Sequence, residues 1–311
     1  MNSRCRLGTR ASALALAQSQ TVADAIRAAG VDVELVEIVT AGDRSSAPIP
    51  TLGVGVFVSA LRDALFAKEI DLAVHSYKDL PTAQPDGLSV AGVPLRADPR
   101  DALVARGGLT LAELGPGCRI GTGALRRIAQ LHAMGRSLVP VPIRGNVDTR
   151  LRKVADGEVD AVILARAGLD RLGRAGEITE VLDPLLMLPA PAQGALAVEC
   201  RSDDTDLVDL LGGLSDEPTL AAVVAERALL AALEAGCSAP VAALAEVAEG
   251  DDSRWEIYLR GAVFSPDGTQ AVRLSRTGML ADAALVGRSL AADLLAAGAE
   301  TILENEDDPY P

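Results

Sequence analysis

Residues 118–150 carry two consecutive units of one design, Cys118-Arg-Ile-Gly-Thr-Gly-Ala-Leu-Arg-Arg127 and Pro142-Ile-Arg-Gly-Asn-Val-Asp-Thr-Arg150. Each reads as the end of a strand, a glycine turn and the start of a helix. Such units in series predict α/β layers with mostly parallel or mixed sheets. The alternation extends through the first two hundred residues. Strands are expected at Glu34–Thr40, Asp71–Ser76, Leu88–Pro94, Asp101–Arg106, Leu138–Ile143, Asp160–Ala165 and Ala195–Cys200, with helices near 12–29, 56–68, 124–135 and 146–156. Short strands with Pro/Gly punctuation favour two modest sheets over one large one. Pro94–Pro99 and Leu188–Gln193 read as crossings between lobes.

After about residue 216 the pattern changes. Leu220–Ala235 is an Ala/Leu/Val helix that stops at Gly236; strand signals follow at Trp255–Phe264 and Gln270–Thr277 around the turn Pro266-Asp267-Gly268. A last helix is expected over 280–298, then an acidic tail from Glu304 to Pro311. The expected domains are lobe 1 (1–94 plus 194–214), lobe 2 (98–190) and a small α+β C-terminal domain (216–311).

Lys+Arg 29 against Asp+Glu 43 leaves a net charge of -14, which argues against broad nucleic-acid or membrane-surface binding. No apolar run reaches the ~18–20 residues of a membrane helix. The four cysteines (Cys5, Cys118, Cys200, Cys237) are scattered, and only His75 and His132 could assist them, so no metal site is expected and the compartment is a reducing cytoplasm. Arg4, Arg6 and Arg10 ahead of Ala11–Ala17 mimic a secretory leader. The pattern instead continues as an amphipathic helix to a capping Gly30.

Between Arg119 and Arg152 lie seven arginines and one acid, Asp148. In so acidic a chain that cluster points to an anion site. Helix N-termini offer free N–H groups to anions, and arginine's planar fork suits carboxylates. As a dinucleotide fingerprint Gly121-Thr-Gly-Ala-Leu-Arg is poor, because Arg stands where Gly or Ala should pack, and no Walker lysine is present. Two such turns facing one cleft would bind a polycarboxylate. Asp79, in His75-Ser-Tyr-Lys-Asp-Leu-Pro81, follows an apolar strand at the end where α/β sites gather, and Cys237 sits in a glycine-initiated loop after a helix. From the residues alone, Asp79 reads equally as an ordinary turn acid and Cys237 as an inert loop thiol.

These segments, with Gly8-Thr-Arg-Ala-Ser12 and Pro191-Ala-Gln-Gly-Ala195, occur in one order over nearly the whole chain. In them the chain resembles the porphobilinogen deaminase (hydroxymethylbilane synthase) family of bacterial tetrapyrrole, and hence haem, biosynthesis. The resemblance implies two periplasmic-binding-protein-like α/β lobes with a third small α+β domain. It implies a transferase joining four porphobilinogen units head to tail with loss of ammonia, on a dipyrromethane cofactor held by a thioether to Cys237. It assigns catalysis to Asp79, which would steady the azafulvenium cation left by ammonia. Carboxylate binding falls to Arg10, Arg126, Arg127, Arg144 and Arg150, with Ser12, Ser76, Lys78, Thr122, Gly145, Asn146 and Gln193 beside them. The implied partner is the small-molecule substrate porphobilinogen, with no nucleic acid and no membrane, and the implied state is a monomer.

Three departures from the family pattern stand out. Ala41 replaces an arginine, Gly123-Ala124 replaces two serines, and the loop Leu52-Gly-Val-Gly-Val-Phe57 is short and lacks a lysine. Each removes a donor expected to help hold the cofactor. A non-catalytic anion receptor is the main rival reading, and it would have no use for Asp79 or an alkylated Cys237.

Overall fold

The computed structural model describes residues 4–38, 56–234, 240–250 and 253–304. Ala41, the glycine-rich loop before Val56, Cys237 and the acidic tail after Glu304 lie outside the described residues. The chain divides into two compact units, Met1–Ala97 with Ala195–Leu220, and Asp98–Gly194 with Ala221–Pro311.

Unit 1 holds a five-stranded sheet of β1 (Arg4–Thr9), β2 (Asp32–Glu37), β3 (Leu72–Ser76), β4 (Leu88–Gly92) and β10 (Leu196–Arg201), in the order β2-β1-β3-β10-β4. β1 runs parallel to both β2 and β3, whereas β10 is antiparallel to both β3 and β4. β1 was not expected as a strand, since its arginines mask the alternation. Cys5 and Leu7 point into the core, while Arg6 reaches Asp71 at 2.8 Å and Arg4 reaches Glu34 at 2.8 Å. Helix α1 (Ala13–Ala28) is capped by Ser12, whose hydroxyl accepts from the Ala15 N–H. It buries Gln18, Ser19, Val22, Ala23 and Ile26, a stripe at helical spacing. Helices α2 (Val56–Phe66) and α6 (Thr205–Gly212) complete the unit, α6 being absent from the sequence reading.

Unit 2 repeats the topology. Its strands β5 (Asp101–Ala105), β6 (Arg119–Gly121), β7 (Val139–Val141), β8 (Ala161–Ala165) and β9 (Glu180–Val181) run in the order β7-β6-β8-β5-β9. β6 is parallel to β7 and β8, and β5 is antiparallel to β8 and β9. Each sheet therefore has one reversed strand in the fourth place. Helices α3 (Leu125–Ala133) and α4 (Val147–Ala155) follow β6 and β7 as expected, and a short α5 (Arg166–Arg171) follows β8.

The same unit carries a meander of β11 (Val241–Glu249), β12 (Trp255–Phe264) and β13 (Ala271–Met279) with α7 (Glu217–Ala232) from Ala221 onward, α8 (Ala283–Leu294) and α9 (Glu300–Glu304). β11 was missed because Val-Ala-Ala-Leu-Ala-Glu-Val-Ala-Glu is rich in helix formers. Tertiary burial overrides that preference: Val241, Ala243 and Ala245 pack towards the helices, while Ala242 and Leu244 pack on the other face with Ala129 of α3, Leu188 and Phe264. α7 starts three residues earlier than expected, because the Asp216 carboxylate accepts from the backbone N–H and hydroxyl of Thr219. α8 meets α7 so closely that a Cβ on Gly287 would stand 2.2 Å from the Ala225 carbonyl oxygen. Gly287→Ala is therefore expected to destabilise the fold by about 1–3 kcal/mol through overpacking, read as a lower melting temperature. Among the described residues no helix is long and apolar enough to cross a membrane.

Candidate active site

Parallel strands that end together bring their following loops to one edge of a sheet. In unit 1 the C-terminal ends of β1 and β3 share an edge with the start of β10, where Leu196 pairs with Ser76. Arg10 and Ser12 follow β1 there, Ser76 ends β3, and Lys78 and Asp79 follow it. Tyr77–Asp79 forms a single 3-10 turn held at both ends: the Tyr77 N–H donates to the Ala195 carbonyl at 3.0 Å and the Leu80 N–H to the Tyr77 carbonyl at 3.2 Å. Tyr77 and Leu80 are buried, so Asp79 is an exposed carboxylate on an anchored turn, with Lys78 half-buried beside it. Gln18 of α1, itself buried, donates to the Ser76 hydroxyl at 2.8 Å.

Beneath this edge Glu199 is fully buried. It accepts from Arg62 at 2.9 and 3.1 Å and from Gln84 at 2.8 Å, with His75 Nε2 3.3 Å away. Burial alone would raise its pKa, but His75, Arg62 and Gln84 outweigh burial and hold it at about 2. A depressed folded-state pKa contributes stability above the unfolded value, and that contribution is lost as pH falls. Stability should thus decline between about pH 4.5 and pH 2, with a shallower slope in Glu199→Gln, as acid titration of the unfolding free energy will show.

In unit 2 the ends of β6, β7 and β8 share an edge with the start of the reversed strand β5, where Asp101 pairs with Ala165. Arg126 and Arg127, in the first turn of α3, are both buried. Arg126 Nη2 donates to one Asp101 oxygen at 2.8 Å and Arg127 Nη2 to the other at 2.7 Å. Their Nη1 atoms donate to the carbonyls of Leu188 and Ile163. Gln193, also fully buried, donates its amide N–H groups to Asp101 at 2.8 Å and to the Pro99 carbonyl at 2.7 Å. Burial acts to raise the Asp101 pKa, but the two guanidiniums outweigh it and hold the carboxyl well below the usual range.

Two guanidiniums against one carboxylate leave one net positive charge, and Arg127 Nε is buried without a hydrogen-bond partner. The α3 N-terminus has no side-chain cap at Ala124. Thr122 is buried, its hydroxyl accepting from the Ala124 N–H at 3.4 Å. On the adjacent turn Arg144 and Gly145 are exposed, and the Asn146 side chain caps α4 by accepting from the Thr149 N–H at 2.9 Å. Gly145 has φ +99° and a Cβ there would sit 2.8 Å from the Thr149 side chain, so only glycine fits. Arg150 Nε donates to the Gly145 carbonyl at 2.8 Å; burial, then the neighbouring Arg127 charge, lowers its pKa.

The sequence reading missed Asp101 as a site residue, and Arg171, whose Nη2 donates to the Gly194 carbonyl at 2.7 Å beside Gln193. An acid opening an otherwise apolar strand was the available signal for Asp101. The thiols of Cys5 and Cys200 are buried, with burial as the main cause pushing each up to about 11.

Among solved structures, the methionine-binding protein MetQ is 15% identical with a TM-score of 0.44, the match covering 68% of this chain and 89% of that one. Much nearer in sequence is a porphobilinogen deaminase from Nocardia farcinica, 59% identical over 96% of this chain and 87% of its own length. That from Mycobacterium tuberculosis H37Rv is 56% identical over 96% of this chain and 98% of its own. The family model described as porphobilinogen deaminase, dipyromethane cofactor binding domain, matches residues 5–209, and that of the porphobilinogen deaminase C-terminal domain matches 220–296. With both models accounting for most of its length, the chain belongs to the porphobilinogen deaminase family.

Proposed function

We propose that this chain polymerises four porphobilinogen molecules head to tail, releasing ammonia at each addition and hydroxymethylbilane at the end, with Cys237 holding a dipyrromethane through a thioether. The carrying observation is the buried Arg126–Asp101–Arg127 cluster, cationic overall inside an acidic protein. Its net charge, the unpartnered Arg127 Nε and the uncapped helix end fit a ligand whose every ring bears carboxylates. When bound, the dipyrromethane supplies the free pyrrole carbon to which the first substrate unit is joined.

The chain's own residues do the rest. Carboxylate binding is assigned to Arg126, Arg127, Arg144 and Arg150 within unit 2 and, separately, to Arg10 and Lys78 within unit 1. Asp79 steadies positive charge on the substrate as ammonia leaves, and it can take up a proton at its carboxylate when the new ring regains aromaticity. Ser12, Ser76, Thr122, Gly145, Asn146 and Gln193 act as positioning groups, since their polar atoms or backbone shape the turns. The three sheets support three domains, 1–94 with 194–214, 98–190 and 216–311. Free thiols at Cys5, Cys118 and Cys200 suit a reducing cytoplasm, and the net charge of -14 suits a monomer that binds neither nucleic acid nor membrane.

Incubating the purified chain with porphobilinogen, oxidising the product and following uroporphyrin absorbance tests the activity. Intact mass tests the attachment, with an excess of two pyrrole units expected. A bare polypeptide mass with no coloured product would refute the proposal.

A further inference from the structure

We propose that Asp101 is the positioning residue of the unit 2 anion site: its carboxylate aims Arg126 and Arg127, and this aiming, more than the site's net charge, sets how tightly carboxylates are held. The inference rests on the reading that the two arginines bind the acids of the growing chain. Consecutive helix residues project about 100° apart, so Arg126 and Arg127 have no intrinsic tendency to converge. Their like charges drive them further apart. Yet their Nη2 atoms meet on the two oxygens of one carboxylate, at 2.8 and 2.7 Å. The Leu188 and Ile163 carbonyls hold the Nη1 atoms, which gives each fork a second fixed point besides this carboxylate.

Asp101 is itself immobilised. It opens β5, has no solvent exposure, and takes a third hydrogen bond from Gln193 at 2.8 Å. Gln193 is tied in turn to the Pro99 carbonyl at 2.7 Å. Its predecessor, Ala192, has φ +59°, a left-handed conformation that non-glycine residues avoid, and the Ala192 N–H donates to the fully buried Glu226 of α7. A strained turn, a buried amide and a buried carboxylate thus converge on the orientation of two guanidiniums. No contact of Asp101 with the ligand is needed.

Removing the carboxylate has two effects of opposite sign, which makes the proposal decidable. Net charge rises from one to two, and Coulomb attraction alone would tighten anion binding. The forks lose their common anchor, and misdirected donors would weaken it. The test compares wild type with Asp101→Asn, titrating each purified chain calorimetrically with 1,2,4,5-benzenetetracarboxylate and measuring KM and kcat for porphobilinogen. Positioning predicts about tenfold weaker tetracarboxylate binding and a KM raised by a similar factor, with kcat changed far less. Equal or tighter binding in the variant overturns the proposal, as does a wild-type chain that does not bind the tetracarboxylate.

Should Asp101→Asn fail to fold, Gln193→Leu decides: binding about threefold weaker at a near-native melting temperature supports the proposal, and unchanged binding overturns it. A wild-type chain with neither covalent pyrroles nor turnover would refute the deaminase reading instead. The tetracarboxylate comparison would still decide the role of Asp101.

Discussion

Asp79→Asn is expected to lower kcat by about 10²–10³-fold while the covalent pyrroles stay attached. The substitution preserves side-chain shape and removes one negative charge. Because Tyr77 and Leu80 anchor the turn in the core, the amide will stand where the carboxylate stood. What it cannot supply is an opposing charge for the cation that forms as the C–N bond breaks, or a proton acceptor afterwards. Stability should hardly change, since position 79 is exposed. Steady-state turnover and intact mass separate the outcomes: near-normal kcat would remove Asp79 from the reaction, and a bare polypeptide mass would show that Asp79 is needed for loading the cofactor onto the chain.

Cys237→Ser is expected to yield a chain without bound pyrroles and without turnover. A serine hydroxyl is a far weaker nucleophile than a thiolate, so no equivalent linkage should form. Nor should the other thiols substitute. Cys5 and Cys200 lie in the unit 1 core and are pushed up to about 11, which leaves almost no thiolate at neutral pH. Cys118 is half-buried immediately before β6 and remains the thiol to watch in this variant. Denaturing mass spectrometry of wild type and variant decides the matter; pyrrole mass surviving in the serine variant would show that another residue carries the attachment.

The two lobes were legible because their signal is local. A glycine turn between a short apolar strand and a helix start announces itself within ten residues, and Gly121–Arg127, Arg144–Arg150 and the turn ending in Asp79 all lie where parallel strands end. Strand β1 was hidden by arginines that are neutralised by Asp71 and Glu34, residues far away in sequence. β11 was hidden by composition, because alanine and glutamate favour helix until burial on both faces selects a strand.

Asp101 illustrates a third obstacle. Its partners are 25, 26 and 92 residues away, and only the reversal of β5 brings its first residue to the edge where β6 ends. Clustering pointed to an anion site around Arg126 and Arg127, and the family resemblance assigned them to carboxylate binding. The structure adds that much of their hydrogen-bonding capacity is already engaged internally, so what remains for a ligand is fewer donors in a more rigid array.

The reversed strand of unit 1 has a consequence for biosynthesis. β10 lies between β3 and β4, but it is made more than a hundred residues after either. Until Arg201 leaves the ribosome, the amino-terminal sheet has a gap at its fourth position, with two unsatisfied strand edges exposed to other nascent chains. Nonsense truncations just before Leu196 should therefore give aggregation-prone fragments, not a self-sufficient first lobe.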